Sequence, residues 1–473
     1  MREPARKHMF ASVSQYGTRQ TVDRAPAAAR PAESRPARAS PLAGRRATLL
    51  AAGACLLSFV AFLVAQRVAG VTWLDLDVYR AEGWAIRTGA DLYELRVTKH
   101  ELPATYPPFA ALLFVPLTWV GVETMRVAAT VLNLALLLTL VWLTLRLIGR
   151  RPWGLSMPGT ACAVAAVAVW CEPVWTTLRY GQINLLIAVL VLWDLSRRCD
   201  HRWAGVGIGI AAGIKLTPAL FAVLLAVAGG LLAVRRLRRG APAWNWLLRR
   251  AAMAVGAFCA TVAVGALAAP RDSWRFWSEV IFDKDRAGSV EGTANQSLRG
   301  VAARALHTVD PGAGWLLPAL LVGCVGLATA VAALLAADRL PHARAWAAVA
   351  CGVTALLVCP ISWSHHWVWA VPMVLLLAAE AARTRQPRWL AATAAIGLLF
   401  FTYALWWVPH FDAGRPELRQ SVGQMLLSGV YPALGLAFLA LAATVVTRAW
   451  LRRPPGPLIS RPLRPRPVPA RTR

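Results

Sequence analysis

Long uncharged apolar runs recur along this chain, and they leave it few folds to choose from. A run of roughly 18 or more apolar residues is a candidate membrane-spanning helix. In lipid such a run must satisfy its own backbone, so it is read as helix rather than open strand. The first run covers about 47–69. It is too long for a typical signal core and lacks a convincing cleavage site, so it reads as an uncleaved first helix. Further runs predict helices at about 126–148, 159–176, 182–196, 203–217, 218–234, 250–269, 312–337, 344–360, 366–382, 390–408 and 421–448. The expected fold is therefore all-α and polytopic, with about 12 transmembrane helices. Composition agrees: of 473 residues 57% are hydrophobic and 16% charged, against about a quarter charged in soluble domains. The alternating pattern of an outer-membrane barrel is absent.

Segment 106–121 is apolar but short and opens on Tyr106-Pro107-Pro108. If it spanned, Arg150 and Arg151 would fall outside, against the tendency of basic residues to stay inside. We therefore expect it to be re-entrant or interfacial on the outer side.

The net charge of +28 is not a nucleic-acid footprint, because the basic residues sit in short clusters between apolar runs and in the tails. Three segments follow: a disordered basic cytoplasmic tail over 1–46, a membrane domain over 47–448, and a Pro/Arg-rich cytoplasmic tail over 449–473. The long polar segments at about 70–125, 270–311 and 409–420 then lie outside. The eight cysteines have no metal-ligand spacing and read as small buried hydrophobes. A Cys171–Cys359 bond is conceivable but has no support. Asp283 and Asp285 could bind a metal, but a solvated loop is the better reading, so no metal or cofactor is expected. No glycine-rich phosphate loop or internal repeat is present, which disfavours a nucleotide substrate.

Candidate chemistry lies in the polar breaks. Asp75 and Asp77 follow the first helix in Trp73-Leu74-Asp75-Leu76-Asp77-Val78-Tyr79. A carboxylate near the interface can act as a general base on a hydroxyl, although a loop acid that only helps set topology is the commoner case. Lys215 stands between Ile214 and Leu216. A lone charge at membrane depth marks function by default, with an ion pair or snorkelling as the alternative. Arg179, Gln182 and Asn184 form a polar turn that could bind phosphate or sugar. Asn295 and Gln296 could contact sugar or cap a loop helix. His365 and His366 lie side by side next to Trp367 and could anchor at the interface or bind substrate. Most of the 22 tryptophans read as an aromatic belt.

The order of these motifs adds information. Asp75-Leu76-Asp77-Val78-Tyr79, Gly89-Ala90-Asp91-Leu92-Tyr93, Tyr106-Pro107-Pro108, Gly181-Gln182-Ile183-Asn184, Lys215-Leu216-Thr217-Pro218, Asn295-Gln296-Ser297 and Ser362-Trp363-Ser364-His365-His366 follow one another over roughly 47–410. In that order they resemble glycosyltransferase family 87, of the GT-C class, which contains polyprenol-phosphate-mannose-dependent α-mannosyltransferases. The resemblance implies an inverting transfer of mannose from polyprenyl-phosphate mannose to a hydroxyl of a lipid-linked or cell-envelope glycan acceptor. It implies a first-outer-loop Asp as base, Asp75 by alignment with Asp77 as runner-up. Tyr79, Tyr106, Arg179, Gln182, Asn184, Lys215, Asn295, Gln296, His365 and His366 become candidate substrate-binding residues. The enzyme would work at the outer face of the cytoplasmic membrane with both termini inside.

A transporter or flippase for a lipid-linked or small polar substrate is the rival from another class. Transporters place polar residues near the midplane and show inverted repeats. Here most polar motifs cluster towards one face, and Lys215 is the feature that most favours the rival. A catalytically inactive scaffold is a second rival, and arabinose or glucose could replace mannose.

Overall fold

The computed structural model describes residues 41–149, 155–283, 286–412 and 414–452. The expected tails at 1–46 and 449–473 fall almost entirely outside the described residues, as does Asp285.

Among the described residues the chain is helical throughout, with two isolated β-bridges and no strand. The α-helices are α1 (Pro41–Val68), α2 (Leu74–Thr88), α3 (Pro108–Phe114), α4 (Val122–Ile148), α5 (Met157–Ala168), α6 (Glu172–Tyr180), α7 (Asn184–Leu195), α8 (Val206–Ile214), α9 (Ala219–Leu237), α10 (Trp246–Ala268), α11 (Pro270–Ser278), α12 (Leu298–Ala305), α13 (Leu316–Leu335), α14 (Ala343–Val358), α15 (Ala370–Thr384), α16 (Pro387–Leu399), α17 (Val422–Ser428) and α18 (Val430–Leu451). Local chemistry sets many of the boundaries. Asn245, Ser156, Ser297 and Ser421 accept backbone N–H bonds at helix starts. Pro108, Pro270 and Pro387 occupy first turns. Gly89, Gly149 and Gly181 end helices in the left-handed conformation.

Among the described residues eight helices are long and apolar enough to cross a membrane, or nine if the bent pair α5–α6 counts as one span. The expected twelve is therefore higher than length alone supports, and the difference lies at breaks in the runs. The run at 159–176 bends by 81° between α5 and α6, where Pro173 opens α6. The run at 203–217 stops at Ile214, and Lys215 takes up extended backbone; Pro218 has no N–H to donate to the Ile214 carbonyl and would clash with it if the helix ran on. The segment at 106–121 is the short α3 followed by a 3-10 turn at Val115–Thr118, too short to span.

The short helices form the interior. All but two of the 16 residues of α14 are buried, and it packs on α4, α9, α13, α15 and α18. By contrast α1 presents Leu49, Leu50, Leu56 and Leu57 to its surroundings, as a lipid-facing helix does. The eight cysteines are free thiols, so Cys171 and Cys359 are not bridged.

Candidate active site

Helix α2 carries the cluster, and its position is set at both ends. Trp73 adopts the left-handed conformation and its N–H donates to the Arg179 carbonyl at 3.0 Å. Gly181, at φ +69°, lies so close to Leu76 that a Cβ there would sit 2.7 Å from the Leu76 Cβ. Only glycine meets both conditions cheaply, which is the physical content of the Gly-Gln-x-Asn stretch. Further along, Gly83 lets α2 lie against the α3 backbone, where a Cβ would sit 2.6 Å from the Phe114 carbonyl.

Asp75, Tyr79 and Glu82 share the inner face of α2, at the i, i+4, i+7 spacing of one helix stripe. The Tyr79 hydroxyl donates to Gln182 Oε1 at 2.8 Å and lies 3.1 Å from the Tyr106 hydroxyl. Tyr106 also reaches Gln182 Oε1, at 3.4 Å. Gln182 Oε1 is thereby saturated, which turns its NH₂ to Asp75, its hydrogen-bond partner. Burial pushes the Asp75 carboxyl up to about 7, against opposing pulls from the Lys215 ammonium and Gln182.

Lys215 stands in the extended break before α9, at the end of a helix rather than in mid-span. Its Nζ lies 2.9 Å from His366 Nε2 and 5.5 Å from the centre of the Tyr106 ring. His366 lies in a 3-10 turn at Ser364–Trp369. The Trp363 N–H donates to its Nδ1 at 3.1 Å, so a neutral imidazole carries its proton on Nε2. That N–H and the lysine ammonium are then two donors side by side, and neither can accept from the other.

Asn184 donates to the His365 carbonyl at 3.0 Å, and Thr177 to the same oxygen at 2.9 Å. The His365 ring packs edge-on to Tyr180, and its Nε2 is buried without a partner. A cavity opens from this point, with Lys215, His366 and Asn184 at its polar end. Its walls are apolar, from Ile187, Val191, Phe221, Leu356 and Trp369 among others.

Other expected residues lie elsewhere. Asp77 sits one-third exposed, with Arg126 Nη2 3.6 Å away, and outside the Gln182–Lys215 network. Arg179 takes part through its carbonyl, and its Nε is buried without a partner. Asn295 and Gln296 are fully buried with backbone partners. Asn295 Nδ2 donates to the Val290 carbonyl and its Oδ1 accepts from Ser362 N–H at 3.0 Å. Gln296 ties the Thr293 and Ser428 carbonyls to the Tyr431 N–H. Both hold the segment that leads to His366. Among the described residues no group of three or more His, Cys, Asp or Glu side chains is set to hold a metal.

Two residues escaped the sequence reading. Glu82 is fully buried, and burial raises it to about 8 against the pulls of the Thr105 backbone and Arg286. Its one sequence signal is an acid on the apolar face of an amphipathic helix. Glu172 is fully buried and accepts from Thr176, Ser364 and Trp406 at 2.8, 2.8 and 3.0 Å, and from Tyr431 at 2.8 Å. It thus ties α6, the His366 turn, the 404–406 turn and α18 together.

The fold and this cluster define a class: a multi-pass membrane protein with an acid–amide–lysine–histidine group whose lysine and histidine line an apolar cavity. Comparison with known proteins narrows it. The model of glycosyltransferase family 87 matches residues 104–360. A Mycolicibacterium smegmatis protein, the polyprenol-phosphate-mannose-dependent alpha-(1-2)-phosphatidylinositol mannoside mannosyltransferase, is 32% identical over 80% of this chain and 88% of its own. The Mycobacterium tuberculosis protein of the same name is 30% identical, over 86% of this chain and 92% of its own. An alpha-(1->3)-arabinofuranosyltransferase of M. tuberculosis is 31% identical over 31% of this chain and 34% of its own. No solved structure matches. The chain belongs to glycosyltransferase family 87 and is a membrane glycosyltransferase.

Proposed function

We propose that this enzyme moves mannose from polyprenyl-phosphate mannose to a hydroxyl of a lipid-linked glycan at the outer face of the cytoplasmic membrane, with inversion. The relatives named for polyprenol-phosphate-mannose and phosphatidylinositol mannosides support both the donor and the acceptor class. The observation that carries the reading is the Lys215–His366 pair at the polar end of an apolar cavity, with Asp75 near enough to feel the Lys215 charge. The phosphate oxygen accepts from Lys215 and from His366 Nε2–H, and the prenyl tail follows the apolar walls. The acceptor hydroxyl loses its proton to Asp75 as its oxygen attacks the anomeric carbon. The bond from that carbon to the phosphate oxygen breaks, and its electron pair leaves on polyprenyl phosphate. The two donors at Lys215 and His366 stabilise that charge without a proton transfer. A carboxyl raised to about 7 is a better base near neutral pH than an ordinary aspartate. Tyr79, Tyr106 and Gln182 orient Asp75. Asn184 and His365 line the approach, and Asp77 stands outside the transfer.

The test is sugar transfer in membranes that express the protein, with radiolabelled polyprenyl-phosphate mannose and a glycolipid extract as acceptor. Asp75→Asn should lose about 10²- to 10⁴-fold at unchanged protein level, while Asp77→Asn keeps its rate within about threefold. Full activity in Asp75→Asn, or loss confined to Asp77→Asn, would remove Asp75 as the base.

A further inference from the structure

A second cavity lies further along the same helices. The donor cavity is lined by Val191 of α7, Phe221 of α9 and Gly352 of α14. One helical turn further along, Leu195, Leu225 and Ala348 line the second. Its polar end holds Arg250 and Arg344, both over the face of Trp246 at 5.0 and 5.8 Å from the ring centre. Its apolar part includes Leu224 and Leu334.

The surrounding charge is unbalanced. Arg197 lies 3.8 Å from Asp194, and Arg198 pairs with Asp200. Arg249, Arg250 and Arg344 have neutral partners in the same region. Arg249 donates to the Cys199 and His201 carbonyls. Arg250 donates to the Arg197 and Arg198 carbonyls at 2.9 and 2.6 Å. Arg344 reaches the Arg197 carbonyl and Cys199 Sγ. Arg250 is 2% exposed and its Nε has no partner. Asp194 acts on Arg250 but is shared with Arg197, so the cluster keeps an excess of positive charge, which favours a further anion beside it. The leucine walls extend the preference to an anion with an apolar chain. Stacking on one indole holds both guanidiniums in place before the ligand arrives.

We propose that this cavity binds an anionic membrane phospholipid, with its phosphate on Arg250 and Arg344 and the start of an acyl chain against Leu224, Leu225 and Leu334. The site is separate from sugar transfer and does not depend on that reading. Basic pockets between membrane helices favour such headgroups.

The test is native mass spectrometry of the delipidated full chain in detergent, titrated with dioleoyl phosphatidylglycerol, dioleoyl phosphatidylcholine or glycerol 3-phosphate. Wild type should retain phosphatidylglycerol roughly tenfold better than phosphatidylcholine, a difference of about 1.4 kcal/mol, and should hold glycerol 3-phosphate poorly. Arg344→Gln should erase the preference and Arg344→Lys should restore part of it. Ala348→Val keeps every charge, narrows the cavity, and should weaken retention of phosphatidylglycerol. Equal retention of the two lipids by wild type, or a preference untouched by Arg344→Gln and Ala348→Val, would overturn the proposal. Glycerol 3-phosphate bound as tightly as the lipid would also overturn it, since the site would then read the phosphate alone.

Discussion

Asp75 differs from Asp77 by two positions in sequence and by a whole environment in space. Two positions along a helix turn a side chain by about 200°, so only one of the pair can face Gln182. Burial raises both carboxyls, but at Asp77 Arg126 pulls against it, while Asp75 rises to about 7. As a base it acts only when deprotonated. kcat/KM should therefore climb by about tenfold per pH unit below about pH 7 and level off above; a flat profile from pH 5.5 to 8 would exclude it. Glu82 gives a stability test with its own sign. Its folded value of about 8 exceeds the unfolded 4.5, so the unfolded chain sheds the proton first. Stability then falls as pH rises from 4.5 to 8. Glu82→Gln lacks that loss and should gain on wild type by at least ~1 kcal/mol between pH 5 and 8, read as melting temperature in detergent. A gap that stays constant with pH would mean that Glu82 is not a buried neutral acid.

At the level of elements, short helices and their breaks matter more than the long spans. The α6–α7 junction brings Gln182 to Asp75, and the break between α8 and α9 brings Lys215 to His366. Gly181 is the tightest of these joints. Gly181→Ala adds a Cβ 2.7 Å from Leu76 at φ +69°, which should cost more than ~1 kcal/mol and shift α2. Transfer should fall at least about tenfold, with KM rising as Asp75 and the donor site separate. Unchanged transfer and melting in that variant would show that α2 tolerates the displacement. The motifs around these joints were legible in sequence because each combines a polar group with a helix-breaking residue. Asn295 and Gln296 carry no such mark, since an amide beside a serine reads alike whether it meets a ligand or a backbone carbonyl. Their partners at Ser362 and Ser428 lie far away in sequence.

For the whole molecule, the bundle has a basic end at Arg197, Arg250 and Arg344 and a cluster end at Asp75 and His366, joined by the α7 and α14 helices. Basic residues concentrate on the cytoplasmic side, which predicts the direction of the enzyme. In a cysteine-free background, Glu94→Cys should react with an impermeant maleimide on intact cells, and Arg239→Cys only after permeabilisation. The reverse pattern would invert the topology and place the reaction in the cytoplasm.

Sequence alone determined that this chain is a helical membrane protein and which stretches are candidates for its chemistry. Apolar length and charge placement are local properties, and the motif order makes the family recognisable. Tertiary structure decided how many runs reach spanning length, which aspartate meets Gln182, and that Glu82 and Glu172 are buried. Those outcomes depend on bends and close approaches between segments far apart in the chain. Leu76 against Gly181 and Lys215 against His366 are such contacts, and neither leaves a periodic trace in the residues on its own side.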